Sequence, residues 1–514
     1  MNRVTILLVL LLVVPAHAQP GASGPAAAGG YDPALVTQVY AAALAFMQPR
    51  TLDPVPVPTL TIWGLRGLTA LDPNLTAELR NGRLVLLAGQ HVLVAMVPPA
   101  DTVSEHWAAA AVQLSSVAFE ASPAVRHAGT QGIIQSFFDE MFNHLDPYSR
   151  YVAPRDAAAD RARRDGQAGL GLTVMQAGSA VVVQAAVGDG PAALAGVRRG
   201  DAIVAIDNTP VRGMDAPSVA SLVDGPEGTS LRLSWRGHDG RVRSADLVRE
   251  VVPPETVFPE RQGNLLVVRI SGFSHRTAVH LAEALQQGMA TGPAPPEGIV
   301  LDLRGNRGGL VREAVDSADT LLSAGVVATT AGRDPGAEHI WRSETGELAI
   351  DVPVVVLVDG RTASAAEILA AALEDRGRAV VVGSATLGKG LVQTIEPLPD
   401  GGELFVTWSR VLAPRGWPIQ GLGVLPQVCS SLGEDALNRQ LAALADGEQP
   451  MIAALTAHQS ARAPLTPTRI LDIRGNCPAA EGRELDLKAA RRLIESPVAY
   501  AAALLPPLRQ AASP

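Results

Sequence analysis

Two cysteines in 514 residues are too few for a disulfide-dense scaffold, and they argue against a cysteine-based zinc cluster. Aromatic residues are scarce at 4%, which leaves an aliphatic core. Positive charge is also short. The 42 Lys+Arg against 51 Asp+Glu leave a formal charge of −9, which opposes a nucleic-acid binder, since such a partner demands a basic face. Familiar catalytic signatures are missing: there is no G-x-S-x-G elbow and no H-E-x-x-H, and the ten histidines offer no obvious partner for a serine. Glycine (49) and proline (39) are plentiful and imply many turns. At 47% hydrophobic and 18% charged, the chain is not disordered, and its length implies several domains with ample chain for a core.

The first eighteen residues read as an export signal. Met1-Asn2-Arg3 is a short positive start, Val4 to Val14 is apolar, and Ala16-His17-Ala18 has the A-x-A form that precedes cleavage. Eleven apolar residues fall short of the ~20 needed to span a bilayer, and no cysteine follows to carry a lipid. No later run is long and apolar enough to cross a membrane, so the mature protein is expected to be soluble, periplasmic or secreted. In such a compartment Cys429 and Cys477 can pair, closing a loop worth ~3–4 kcal/mol; the alternative is two unpaired buried thiols.

Along the chain, residues 19–30 form a Gly/Ala/Pro-rich flexible leader, and Tyr31 to Met47 has helical spacing. Residues 51–105 suggest short strands around a helix, with Leu60-Thr61-Ile62-Trp63 as one strand. Pro123 to Leu145 reads as a helix, and Asp156 to Asp165 as an exposed charged linker. From about 166 to 252 a small β-rich module is expected, with a short helix near Pro191. From 264 onward strands alternate with helices, the pattern of an α/β core with buried parallel strands, followed after 427 by a helical tail.

Three segments at strand ends could carry chemistry. Leu301-Asp302-Leu303-Arg304-Gly305-Asn306-Arg307-Gly308-Gly309-Leu310 has glycines that free backbone N–H groups for an anion, or merely form a tight turn. Ser364, in Thr362-Ala363-Ser364-Ala365-Ala366-Glu367, falls where a strand hands over to a helix; there it is a nucleophile or simply an N-cap. Gly383 to Lys389 nearly matches a phosphate-binding loop, but Gly390 replaces the Ser/Thr that would hold Mg²⁺ and the following residues look extended, which weakens a nucleotide hydrolase. A desolvated lysine between glycines can instead serve as general base to a serine.

Together and in order, these segments resemble the C-terminal processing peptidases, or tail-specific proteases, from about Pro123 to Pro426. Asp146-Pro147-Tyr148-Ser149-Arg150-Tyr151 is similar to the family's D-P-x-S-x-Y segment, and Gly421-Leu422-Gly423-Val424-Leu425-Pro426 to its G-x-G-x-x-P. The resemblance implies a multidomain α/β protease core, of parallel-strand ββα-type and crotonase-like, with an inserted β-rich PDZ domain and helical N- and C-terminal regions. The domains implied are 1–18 signal peptide, 19–30 leader, 31–155 N-terminal helical region with insertion, 156–252 PDZ domain, 253–428 protease core and 429–514 helical tail. It puts the nucleophile on Ser364, the general base on Lys389 and a lysine-positioning glutamine on Gln393, which requires a bend, expected at Gly390. Its oxyanion donors are the N–H groups of Gly309 and Ala365, with Gly308 as the fallback for the first. Gly169-Leu170-Gly171-Leu172 is the implied loop for a peptide's terminal carboxylate. The function implied is an exported serine endopeptidase with a Ser/Lys dyad, needing no metal or cofactor, that acts on proteins held by their C-terminal tails. The alternative is a proteolytically inert PDZ scaffold or chaperone. A homo-oligomer or a regulatory partner stays open.

Overall fold

The computed structural model describes residues 30–292, 294–344 and 346–506; the signal reading on 1–18 and nearly all of the leader lie outside them. Its centre is a six-stranded sheet in the order Val257–Gln262, Leu265–Ile270, Gly298–Asp302, Val354–Val358, Ala379–Gly383 and Val428–Cys429. All neighbours are parallel except the first pair. The register sets Leu301 beside Val356 and Val356 beside Val381.

The four inner strands are rich in Val, Ile and Leu because both faces are covered, whereas the edge strand Val257–Gln262 is largely exposed and polar. Val354, Val356 and Val358 pack with the helices Thr277–Ala290, Val311–Asp319 and Ala365–Asp375. Val355 and Leu357 face the opposite way, onto the tail helices Glu434–Ala445 and Glu484–Glu495. Each such buried side chain contributes about 1.5–3 kcal/mol, and the period-2 alternation divides that gain between two layers.

A second, antiparallel sheet runs His339–Ser343, Gly325–Gly332, Glu403–Leu412, Leu391–Pro397, with Arg150–Val152 pairing onto Glu403–Leu412. That last pairing joins the N-terminal helices to the core: Leu398, Leu404 and Val406 complete a cluster built on Tyr40, Phe137 and Phe138. Two expectations are corrected here. Leu60 to Trp63 lies within the helix Val57–Arg66, because Pro56 and Pro58 start a helix and Gly64 fits against the Phe137 ring; packing overrides the local β preference. Within the segment 156–165, residues up to Arg164 belong to the helix Pro154–Arg164, which Asp165 caps, rather than to an exposed linker; Arg161 and Arg164 reach the buried Glu403 carboxylate at 3.0 Å.

The β-rich module has the strand order Val242–Val248, Ser230–Arg236, Ala202–Ile206, Ala180–Ala186, Leu172–Ala177. It is tied off where Gln167–Gly169 pairs with Glu250–Val252. Its Asp189 faces the core, pairing with Arg276 and, at 3.3 Å, with His280. Among the described residues, no helix is long and apolar enough to cross a membrane.

Candidate active site

The strand Val354–Val358 ends in a turn organised by Asp359. Its Oδ1 accepts the N–H groups of Arg361 (3.0 Å), Thr362 (2.9 Å) and, from the neighbouring loop, Gly305 (3.0 Å). Thr362 Oγ1 donates to the Leu303 carbonyl at 3.0 Å, and Ala363 N–H to that of Asn306 at 2.9 Å. The two loops are therefore locked side by side before Ser364 is reached.

Ser364 has φ 58° and ψ −121°, a conformation that costs a non-glycine residue about 1–3 kcal/mol and persists only where the surroundings over-determine it. Those bonds supply that constraint, and the helix Ala365–Asp375 starts at the next residue. The glycine loop approaches so closely that a Cβ on Gly308 would lie 2.8 Å from Ser364 Cβ, and one on Gly309 2.0 Å from the Phe273 carbonyl oxygen. Gly308 N–H is occupied, donating to Asn306 Oδ1 at 2.8 Å, while buried Asn306 donates through Nδ2 to Ile270 O. The N–H groups of Gly309 and Ala365 have no acceptor among the described residues.

Glu367 is the residue that sequence reasoning missed. It is fully buried, and its Oε2 accepts the N–H of Ser364 at 2.8 Å and that of Lys389 at 2.9 Å. Oε1 accepts Gly388 N–H at 2.7 Å and the Thr386 hydroxyl. Burial pushes the Glu367 carboxyl up, and the four donors oppose that rise. A carboxylate in the first turn of a helix that is otherwise alanine, isoleucine and leucine through Leu373 was the available signal.

Lys389 is half-buried, with Nζ 5.1 Å from the centre of the Tyr148 ring. Burial, and then the Arg150 charge, hold its amine below the ordinary lysine range, against Glu367 and Asp146, which raise it. Asp146 is held in turn: Oδ1 accepts Tyr148 and Ser149 N–H at 3.0 Å and the Thr407 hydroxyl at 2.6 Å.

Gln393 donates to Leu391 O at 3.1 Å and Thr407 Oγ1 at 3.2 Å; no hydrogen bond links it to Lys389 among the described residues. The bend falls between Val392 and Gln393 as a bulge in the ladder, rather than at Gly390. Gly390 serves a close approach instead: a Cβ there would lie 2.1 Å from Gln420 N.

Away from this centre, Leu170 is buried, Gly171 has φ +71°, and Leu172 opens the edge strand of the β-rich module. The Gly169 end of this loop belongs to the Gln167–Gly169 strand. The carbonyls of Leu170 and Gly171 take the N–H groups of Ala192 and Val187, whereas their own N–H groups have no acceptor among the described residues. The helix Ala216–Val223 packs along the edge strand. Cys429 and Cys477 are joined as a disulfide.

Residues 264–429 match the model of Peptidase family S41, and residues 182–237 match a PDZ domain. The carboxy-terminal-processing protease of Bartonella bacilliformis is 33% identical over 302 residues, covering 58% of this chain and 69% of that protein. The carboxy-terminal processing protease CtpA of Bacillus subtilis is 31% identical over 309 residues, covering 60% of this chain and 64% of that protein. Among solved structures, a photosystem II D1 C-terminal processing protease is 30% identical, covering 59% of this chain and 86% of that chain, with a TM-score of 0.34. With that identity across more than two-thirds of the Bartonella protein, this chain belongs to peptidase family S41, as a PDZ-bearing serine-type peptidase among the carboxy-terminal-processing proteases.

Proposed function

We propose that this chain is an exported endopeptidase that cleaves proteins near their C-terminus, with Ser364 as nucleophile and Lys389 as general base. The observation that carries the reading is Glu367: a single carboxylate oxygen fastens the backbone of both residues, at 2.8 and 2.9 Å. Two residues 25 positions apart are thereby held in one frame, and the depressed amine of Lys389 suits a base.

The Ser364 hydroxyl gives its proton to Lys389 Nζ as Oγ bonds to the scissile carbonyl carbon. The resulting oxyanion is received by the free N–H groups of Gly309 and Ala365, a reading favoured over Gly308, whose N–H is engaged by Asn306. Collapse breaks the C–N bond, and Lys389 returns the proton to the leaving amine. Water then gives a proton to the same lysine as its oxygen bonds to the acyl carbon, the Oγ–C bond breaks, and Lys389 returns that proton to Ser364 Oγ, freeing the acid. Gln393 acts at one remove, through Thr407 and Asp146, which sits close enough to raise the Lys389 amine.

In the PDZ domain, the Leu170 and Gly171 N–H groups receive the substrate's terminal carboxylate, with Gly169 and Leu172 flanking them, and the tail adds as a strand to Leu172–Ala177 beside the helix Ala216–Val223. Ser364→Ala and Lys389→Ala are each expected to lower turnover of a protein with a free apolar tail by about 10⁴-fold or more. Full activity in either variant sinks the dyad; no turnover by the native chain favours the scaffold.

A further inference from the structure

The pattern D-P-x-S-x-Y leaves two positions open, and in this chain they hold Tyr148 and Arg150. Ser149, between them, is buried, and its hydroxyl donates to Asp146 Oδ2 and accepts Thr407 N–H at 2.9 Å. Asp146 Oδ1 takes the Tyr148 N–H at 3.0 Å, so the backbone carrying both open positions is fixed against the strand Glu403–Leu412. From there the two side chains part. Arg150 lies over the Phe405 ring, and the Tyr148 ring lies beneath Lys389 Nζ, 5.1 Å from its centre.

The lysine is equally constrained at its backbone, where Glu367 Oε2 accepts its N–H at 2.9 Å. Its Nζ makes no hydrogen bond among the described residues and has no carboxylate within 4.0 Å among them. Of the charged groups that face it, Arg150 opposes positive charge on Nζ, whereas Glu367 and Asp146 favour it. An aromatic face within about 6 Å attracts a cation through the ring quadrupole and has little to offer a neutral amine.

We propose, on the reading that Lys389 is the base, that Tyr148 is its positioning residue: the ring face holds Nζ at the reacting centre and receives the positive charge that forms there. Nζ is neutral when it is ready to act and becomes an ammonium as the Ser364 hydroxyl gives up its proton. On collapse that proton passes to the leaving amine, and the attraction to the ring ends. The ring therefore stabilises the charged transition state more than the bound substrate. It also gives Gln393 a route to the base, through Thr407, Asp146 and the Tyr148 N–H.

Phenylalanine and its mono-, di- and trifluoro analogues at position 148 keep the shape of the ring while stripping its negative face step by step. Turnover of a quenched fluorescent peptide with a free Ala-Val-Val end is followed against pH for the full chain. Tyr148→Phe is expected to hold kcat within about two-fold of the native chain, and the alkaline plateau of kcat to fall in order along the series, by about three- to thirty-fold at the trifluoro ring, with KM unmoved. The acid limb of kcat/KM moves to lower pH in the same order, because an ammonium with a weaker partner gives up its proton sooner. A ring that only fills space gives equal kcat and a fixed limb across the series; either result, or a loss carried by KM, overturns the proposal. A flat series with an inactive Lys389→Ala removes the role of Tyr148 alone, whereas full activity in Lys389→Ala removes the base itself.

Discussion

Lysine occurs only at positions 389 and 488, and arginine supplies the rest of the 42 cations. A guanidinium does not surrender its proton in a protein, whereas an ammonium does so once desolvated. The proposed mechanism rests on that difference, since it asks the cation at position 389 to act as a base. Lys389→Arg is therefore expected to be as inactive as Lys389→Ala in the same turnover assay; substantial activity would remove the base from its proposed role. The neighbouring Arg150 gives a graded test. Its charge helps hold the Lys389 amine down, and its guanidinium lies 4.0 Å over the Phe405 ring. Arg150→Met keeps the stem on the ring and removes the charge, so the Lys389 pKa rises and less free amine exists at a given pH. The acid limb of the kcat/KM profile should move to higher pH. A limb that stays in place, or moves down, contradicts the assignment.

At the scale of elements, the site is a set of strand ends tied together by buried polar side chains, and the disulfide secures one of the ties. Cys429 ends a core strand, and Cys477 leads into the segment whose Ala480 carbonyl accepts Gly360 N–H at 2.8 Å and the Ser384 hydroxyl at 2.9 Å. With the cysteines 48 positions apart, the bond is worth about 4 kcal/mol in the chain-entropy model. Reduction, or Cys429→Ser with Cys477→Ser, should lower the melting temperature by several degrees; an unchanged Tm with two titratable thiols would show that the tie is dispensable. Much of this framework was legible in sequence, because buried parallel strands read as valine runs and glycines mark the sharp turns after them. Glu367 was not: its partners lie up to 22 residues away and three of the four bond through backbone N–H groups, which leave no trace in side-chain pattern. The antiparallel strands Gly325–Gly332 and Glu403–Leu412 were equally hidden, since their pairing spans some eighty residues and neither carries a turn signal that names its partner. Gln393 was assigned by resemblance, and only the three-dimensional bulge reveals that its amide turns to Thr407.

At the scale of the whole molecule, one buried chain of groups crosses from the core to the tail. Asp375 closes the helix that follows Ser364, Trp417 Nε1 donates to its Oδ2 at 3.0 Å, and the Trp417 ring lies 4.4 Å from that of His458, centre to centre. His458 in turn bonds through Nε2 to Gly423 O at 2.8 Å. Burial drives His458 down to about 4, aided by the charge of Arg474, and drives Asp375 up to about 6 against Arg415 and Trp417. The two act in opposite directions on stability. Below its ordinary 6.5, an unfolded His458 binds a proton that the fold refuses, so stability falls as the pH drops toward about 4, by up to about 3 kcal/mol. Asp375 takes its proton more readily in the fold, so the same acidification from about 6 toward 3.8 favours the native state. His458→Gln retains a donor for Gly423 O and removes only the first of these effects. Its urea midpoint is therefore expected to lie at or below that of the native chain at pH 7 and to overtake it near pH 4.5. In Asp375→Asn the opposite holds: stability lost relative to the native chain grows as the pH falls. Parallel pH profiles for the native chain and His458→Gln would mean that His458 is protonated in the fold, and the core-to-tail junction would then be hydrated rather than dry.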